Sequence, residues 1–165
     1  NSPITTSMGR LFDGVASLCG LCQTSTFEGQ AAMRLERAAF RCTDKACVFD
    51  FELLRQDGRL ILDWKPLIEQ ILEALLAQVS VNAIARGFHH ALARGGVQVA
   101  REMGMDDVVL TGGCFQNSVL SELTTEALRK SGFNVYFHRA VPPNDGGISI
   151  GQAWYRPAGV TSPCV

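Results

Sequence analysis

The last third of the chain alternates strand and helix signals around a pair of glycines, and that order limits the fold more than any other feature. Val108-Val109-Leu110 is a short apolar run that ends at Gly112-Gly113. Residues 117–130 then carry Val119, Leu120, Leu123, Ala127 and Leu128 at helical spacing, and Gly132 stops them. A second strand follows over 134–139, and a last helix over 148–155. Two strands joined by a helix with short connections pair in parallel through a crossover. This part of the chain is therefore predicted to be α/β, with a βαβα order.

The first part has a different period. Met8, Leu11, Phe12, Val15, Leu18, Cys19 and Cys22 fall on one face of a helix that Thr5, Thr6 or Ser7 could cap. Residues 27–40 (FEGQAAMRLERAAF) read as a second helix, rich in good helix formers. From Ala46 to Leu54 and from Arg59 to Trp64 the pattern is a hairpin, with Asp57-Gly58 as its turn signal. Pro66 suits the first turn of another helix, whose wide apolar stripe runs from Leu67 to Val79. A long helical stretch over 81–103 is expected to be interrupted or closely packed at Gly95-Gly96, and to end at Gly104. The tail from Pro157 to Val165 is expected to fray.

Composition removes several function classes. In 165 residues, 47% hydrophobic content is too much for a disordered chain and enough for a real core. Fifteen basic against sixteen acidic side chains argue against a protein that mainly holds a nucleic-acid backbone. No apolar run reaches the roughly 18 residues of a membrane span, and no signal segment opens the chain. Asn1-Ser2-Pro3-Ile4 begins without methionine, which suggests a piece of a longer polypeptide. The six cysteines read as reduced cytoplasmic thiols. Cys19, Cys22, Cys42 and Cys47 could form a four-thiolate zinc site, although small buried apolar residues are the commoner use of such cysteines.

Three segments could carry chemistry. Thr111-Gly112-Gly113-Cys114-Phe115-Gln116-Asn117 turns a strand into a helix and exposes backbone N–H groups, which suits a phosphate. A tight turn with no ligand fits those residues equally well, because the Lys-Ser/Thr of a P-loop is missing. In Pro142-Pro143-Asn144-Asp145-Gly146-Gly147, Asp145 lies after a strand, where open α/β sheets bind ligands. It could ligate a metal or cap the last helix. In Thr6-Ser7-Met8-Gly9-Arg10-Leu11-Phe12-Asp13, Gly9 lies one turn before Asp13. A flat ligand could approach the helix at the glycine while its hydroxyls bond the carboxylate.

In this order TSMGRLFD, TFEGQAAMRLE, ARGFHHALA, TGGCFQN and VPPNDGG resemble the C-terminal part of the HypF carbamoyltransferases of [NiFe]-hydrogenase maturation, from about Thr5 to Tyr155. The last domain of that family is similar to the threonylcarbamoyl transferases that modify tRNA. The resemblance implies one lobe of an actin/sugar-kinase/Hsp70-type ATPase fold, with residues 1–165 the C-terminal lobe of a carbamoyltransferase domain. It also implies that ATP and carbamoyl phosphate give a carbamoyl-adenylate in an upstream domain. The present domain would pass the carbamoyl group to the C-terminal cysteine of a partner, HypE. Carried over by motif, Gly9, Asp13, Gly112, Gly113 and Asn117 face the nucleotide, with Asp13 on the ribose hydroxyls. Asp145 matches a ligand of a divalent or iron-type metal.

The resemblance has a gap. The family's other metal ligands, a histidine pair spaced H-x-x-x-H and further acidic residues, lie upstream and nothing here supplies them. His89 and His90 are adjacent on a helix and His138 stands alone, so all three read as packed or surface residues. His89 and Glu28 could support the pocket, and Glu28 could equally serve as a helix cap. Cys114 invites a covalent role, but no histidine stands nearby in sequence and the implied chemistry does not need one. Two other readings remain: an ATP-dependent small-molecule kinase of the same fold, and a non-catalytic docking lobe. The expectation for the isolated chain is a folded but inactive lobe.

Overall fold

Gly20 ends the first helix a turn earlier than its apolar spacing predicts. In the computed structural model, which describes residues 5–155, α1 runs over Met8–Leu18 and not to Cys22. Gly20 takes φ +69°, Leu21 N–H donates back to the Ala16 carbonyl and Gly20 N–H to that of Ser17. This closure satisfies the last carbonyls of the helix and needs a residue without Cβ strain. Ser7 is the N-terminal cap position but makes no side-chain cap bond. Helix α2 (Gln30–Phe40) likewise starts later than predicted, because Gly29 sits at φ +78°.

Strands β1 (Glu52–Gln56) and β2 (Arg59–Asp63) pair antiparallel, with Leu53 opposite Leu62. Asp57 at φ +52° and Gly58 at φ +75° form the turn. The ladder does not extend back to Ala46. Phe49 and Phe51 are buried in the core instead, and residues 46–51 have no strand partner. Helix α3 (Lys65–Leu76) has Pro66 in its first turn. Its stripe is narrower than predicted: Leu67 and Ile71 are buried while Leu72 and Leu76 are exposed.

Helix α4 (Val81–Met103) is the axis of the structure. The Ser80 hydroxyl accepts from Ala83 N–H at its start and Gly104 closes it at φ +63°. It passes Gly95-Gly96 without interruption. A Cβ on Gly95 would lie 2.8 Å from Leu62 Cδ2, so this glycine lets β2 pack directly on the helix. Phe12, Phe88 and His89 meet edge to face, with ring centroids 5.0 to 5.7 Å apart.

The predicted crossover is present. Strands β3 (Asp107–Leu110) and β4 (Asn134–Phe137) pair in parallel, Val108 opposite Val135 and Leu110 opposite Phe137. Helix α5 (Ser118–Lys130) connects them and packs on α4. A short 3-10 turn over Gly113–Gln116 precedes it, so α5 begins at Ser118 with Asn117 as its cap. Val97, Leu110 and Leu128 form a small second core there. After β4, which stops at Phe137, a 3-10 turn over Asp145–Gly147 leads into α6 (Ile148–Trp154). The tail predicted to fray lies outside the described residues. Among the described residues, no helix is long and apolar enough to cross a membrane.

Candidate functional site

The starts of α1 and α2 and the two glycine loops converge on one cavity of about 720 Å³. Gly9 and Asp13 line it from α1, Glu28 from the turn before α2, Gly113 and Asn117 from the loop after β3, and Asp145 from the loop before α6. Sequence positions far apart are thus brought to one wall. Gly112, expected on the same site, is not among the lining residues. Its φ of +98° favours glycine, and its N–H donates to the Pro143 carbonyl at 2.7 Å. That bond fastens the TGG loop to the PPNDGG loop.

The donors around α5 decide between the cradle and the plain turn. Ser118 N–H is taken by Glu36 Oε1 at 2.6 Å, and Leu120 N–H by Asn117 Oδ1 at 2.8 Å. The helix end is therefore capped internally by a carboxylate and does not offer a free anion site. The N–H groups of Gly113 and Cys114 meet no acceptor among the described residues. The loop can still donate, but from its glycine end.

His89 is fully buried beneath this wall. Its Nδ1 lies 2.8 Å from the Ala85 carbonyl and its Nε2 3.0 Å from Asn117 Nδ2. Burial, the largest influence, pushes its pKa down to about 4, so the ring is neutral near pH 7. A neutral ring that donates from Nδ1 must accept at Nε2. His90, half-buried, is also pushed down, first by burial and then by Arg86 and Arg94. His138 bonds the Thr111 hydroxyl at 2.9 Å.

Asp13 pairs with Arg10 at 2.9 Å on the cavity rim. Glu28 is exposed and makes no cap, since Gly29 is the cap position of α2 and the helix start has no side-chain cap bond. The capping alternative for Asp145 is also removed, because Asn144 Oδ1 accepts from Gly146 N–H at 3.0 Å. The exposed Asp145 carboxylate makes no hydrogen bond or ion pair among the described residues. The cavity lining thus carries four carboxylates, those of Asp13, Glu28, Glu36 and Asp145, against one guanidinium, that of Arg10. Such a wall accepts hydroxyl hydrogens readily and would repel a bare polyphosphate.

Three functional candidates escape the sequence reading: Arg10, Glu36 and Asn144. Glu36 follows Gly29, Ala32 and Met33 at steps of three and four, which would have put it on the cavity face of α2. Asn144 before Asp-Gly has the signature of a side-chain turn. The thiols do not form the zinc alternative. Among the described residues no three His, Cys, Asp or Glu side chains gather as a metal site. Burial pushes Cys19 up to about 11 and also raises Cys114, opposite to what a thiolate nucleophile requires. Asp145 is a carboxylate of the lining without a partner among the described residues, and the four carboxylates do not gather into a metal centre there.

Residues 1–152 match the family model described as the second subdomain of the Kae1-like domain of carbamoyltransferases. The chain is 42% identical over 152 residues to the carbamoyltransferase HypF of Synechocystis sp., covering 92% of this chain and 19% of that protein. It is 39% identical over 158 residues to the HypF of Rhodobacter capsulatus, covering 93% of this chain and 20% of that protein. A crystal structure of full-length HypF in the phosphate- and nucleotide-bound form superposes with a TM-score of 0.81 at 40% identity, over 89% of this chain and 20% of that one. The HypF of T. kodakarensis gives 0.76 at 29% identity, over 93% of this chain and 20% of that one. The chain spans about a fifth of the length of these relatives.

Proposed function

The chain belongs to the HypF carbamoyltransferase family as the second subdomain of its Kae1-like domain, and we propose that its cavity holds the adenylate end of a carbamoyl-adenylate during carbamoyl transfer. The observation that carries this reading is the convergence of Gly9, Asp13, Gly113, Asn117 and Asp145 on one wall. Ribose hydroxyls donate to Asp13, and the base lies over the α1 surface that Gly9 leaves bare. Gly113 and Cys114 N–H groups meet the single phosphate. An adenylate carries far less charge than ATP, which agrees with a wall richer in carboxylates than in cations.

In the whole cytoplasmic enzyme this lobe works with upstream domains. An upstream domain makes the carbamoyl-adenylate from ATP and carbamoyl phosphate. The C-terminal cysteine thiolate of HypE then attacks the carbamoyl carbon. A C–S bond forms, the C–O bond of the mixed anhydride breaks, and AMP leaves with the electron pair. The step needs no nucleophile from this chain, because the thiolate arrives already ionised on the partner. The part of the described residues is to fix the leaving group so that the carbonyl faces the incoming thiolate. A divalent or iron-type cation would be held by Asp145 together with upstream ligands, and when bound would polarise the carbamoyl oxygen. In this proposal the chain is one lobe of an actin/sugar-kinase/Hsp70-type fold, a reading that the parallel β3–α5–β4 unit supports, and a second lobe would close the cavity.

The test is a pair of preparations, the isolated 165-residue chain and a full-length polypeptide that carries it. Each is given ATP, carbamoyl phosphate and HypE, with AMP release and the mass of the HypE C-terminal peptide as readouts. The full-length protein should release AMP and add one carbamoyl group, and the isolated chain should do neither. Full turnover by the isolated chain, or a phosphorylated small molecule as the product, would overturn the assignment.

A further inference from the structure

We propose that His89 is a positioning residue for the nucleotide: its Nε2 accepts one N–H of the Asn117 carboxamide, which leaves the other N–H for the ligand. This rests on the reading of the cavity as an adenylate site. The inference follows from counting the hydrogen-bonding capacity of Asn117. Its Oδ1 is committed to Leu120 N–H at 2.8 Å. Its Nδ2 carries two hydrogens and has a single partner among the described residues, His89 Nε2 at 3.0 Å. A carboxamide held at both ends cannot flip, so its second hydrogen has a fixed direction. Asn117 is 8% exposed and lines the cavity, so a ligand held there can offer that hydrogen an acceptor.

The imidazole is itself fixed. Nδ1 faces the Ala85 carbonyl one turn back along α4, and Phe12 and Phe88 pack edge-on against the ring. The Ala85 carbonyl can only accept, so Nδ1 carries the proton and Nε2 the lone pair. Protonation would reverse Nε2 from acceptor to donor and break the contact with the amide. Burial opposes that protonation. Glu36 on α2 and Arg86 and His90 on α4 are the charged or titratable groups that act on the ring, in opposite directions. The ring therefore dictates which end of Asn117 caps α5 and which faces the ligand. A packed histidine with no such task could be replaced by any side chain of similar volume.

Two substitutions separate these roles. His89→Gln places an amide oxygen near the position of Nε2 and can still accept from Asn117. His89→Asn is shorter, reaches only the Nδ1 position, and leaves Asn117 without its acceptor. In the full-length polypeptide, AMP binding followed by calorimetry should weaken about three- to tenfold for His89→Asn. It should stay within about twofold of the parent for His89→Gln, because one acceptor replaces another. Asn117→Ala should weaken AMP binding, and His89→Asn added to it should cost no more. Equal losses at Gln and Asn, a parent-like His89→Asn, or additive losses with Asn117→Ala would each overturn the inference while leaving the adenylate site intact. Parent-like AMP binding by a folded Asn117→Ala would remove the adenylate reading itself, and the inference with it.

Discussion

Glu36 and Ser118 are 82 positions apart in sequence, yet one carboxylate oxygen of Glu36 accepts from both the Ser118 N–H, at 2.6 Å, and the Ser118 hydroxyl, at 2.8 Å. The contact does two things at once. It caps α5 from outside its own chain segment, and it ties α2, which lines the cavity, to α5, whose cap residue Asn117 also lines it. The negative charge also sits at the positive end of the helix dipole. Glu36→Ala should therefore cost about 1–2 kcal/mol, the range for losing a helix cap. Glu36→Gln should cost less, since an amide oxygen can still accept. Urea unfolding of the 165-residue chain measures both. Equal stability of Glu36→Ala and the parent would mean that the α2–α5 tie contributes nothing.

His89 gives the fold a pH dependence whose sign can be stated in advance. Burial lowers its folded pKa to about 4 from an ordinary 6.5. Between those values the unfolded chain takes up a proton that the folded chain refuses, so stability falls as pH drops from about 6.5 toward about 4. The contribution is greatest above 6.5 and is on the order of 3 kcal/mol. His90 is shifted in the same direction and adds to the slope. The comparison that isolates His89 is therefore parent against His89→Gln, unfolded in urea at pH 7, 6 and 5. The variant should lose stability less steeply. Identical slopes would show that the imidazole is not held neutral by the fold.

Asp13 separates binding from folding. Among the described residues its one ion pair is with Arg10, whose side chain is 61% exposed, and such surface pairs contribute little. In the full-length polypeptide, Asp13→Ala should weaken AMP binding by about 1.5–3 kcal/mol, as expected for a hydrogen bond to a charged group. The melting temperature should barely move. If a well-folded variant keeps its affinity, the ribose hydroxyls are held elsewhere, and Glu28 or Glu36 becomes the candidate.

Asp145 carries the metal question. The Asn144 side chain already makes the turn bond to Gly146 N–H, so Asp145→Asn should leave the loop folded. In the full-length polypeptide it should lower the metal content and the carbamoyl transfer, while carbamoyl-adenylate formation by the upstream domain continues. Elemental analysis beside the transfer assay decides this. Undiminished metal and transfer in the variant would take Asp145 out of the site.

What the sequence discloses here depends on how local each cause is. The β3–α5–β4 crossover is legible because strand, glycine and helix signals follow one another within about thirty residues, the length of one such unit. The α1 boundary is not, since Cys19 and Cys22 continue the apolar spacing past the glycine that ends the helix. Asn144 answers the capping question for Asp145 only once the loop geometry is known. Glu36 stands inside a motif that points to the family, but its partner Ser118 belongs to another element, and no periodicity records that. His89 is packed as its sequence context suggests; its bond to Asn117, 28 positions on, is what gives it a further role. Pairings that join distant elements are the part of the site that pattern reading misses.

Two glycines of α4 should respond to alanine with opposite signs. Each substitution removes backbone freedom in the unfolded chain and gains about 1 kcal/mol of helix propensity. At Gly96 the nearest atom to a new Cβ is Thr124 Cγ2 at 3.9 Å, an ordinary contact, so Gly96→Ala should stabilise the chain by up to about that amount. At Gly87 the new Cβ would lie 2.7 Å from the Cys47 carbonyl oxygen and 2.8 Å from Cys47 Cβ. The oxygen belongs to a segment held against the helix, since Cys47 N–H donates to the Ala83 carbonyl at 3.2 Å and Phe49 is buried beside it. That backbone cannot yield as a flexible side chain would, and overpacking of this kind costs roughly 1–3 kcal/mol. The clash outweighs the propensity gain, and Gly87→Ala should unfold at lower urea than the parent while Gly96→Ala unfolds at higher. Stabilisation by both would mean that the segment from Cys47 to Phe51 does not lie on α4 as closely as this packing requires.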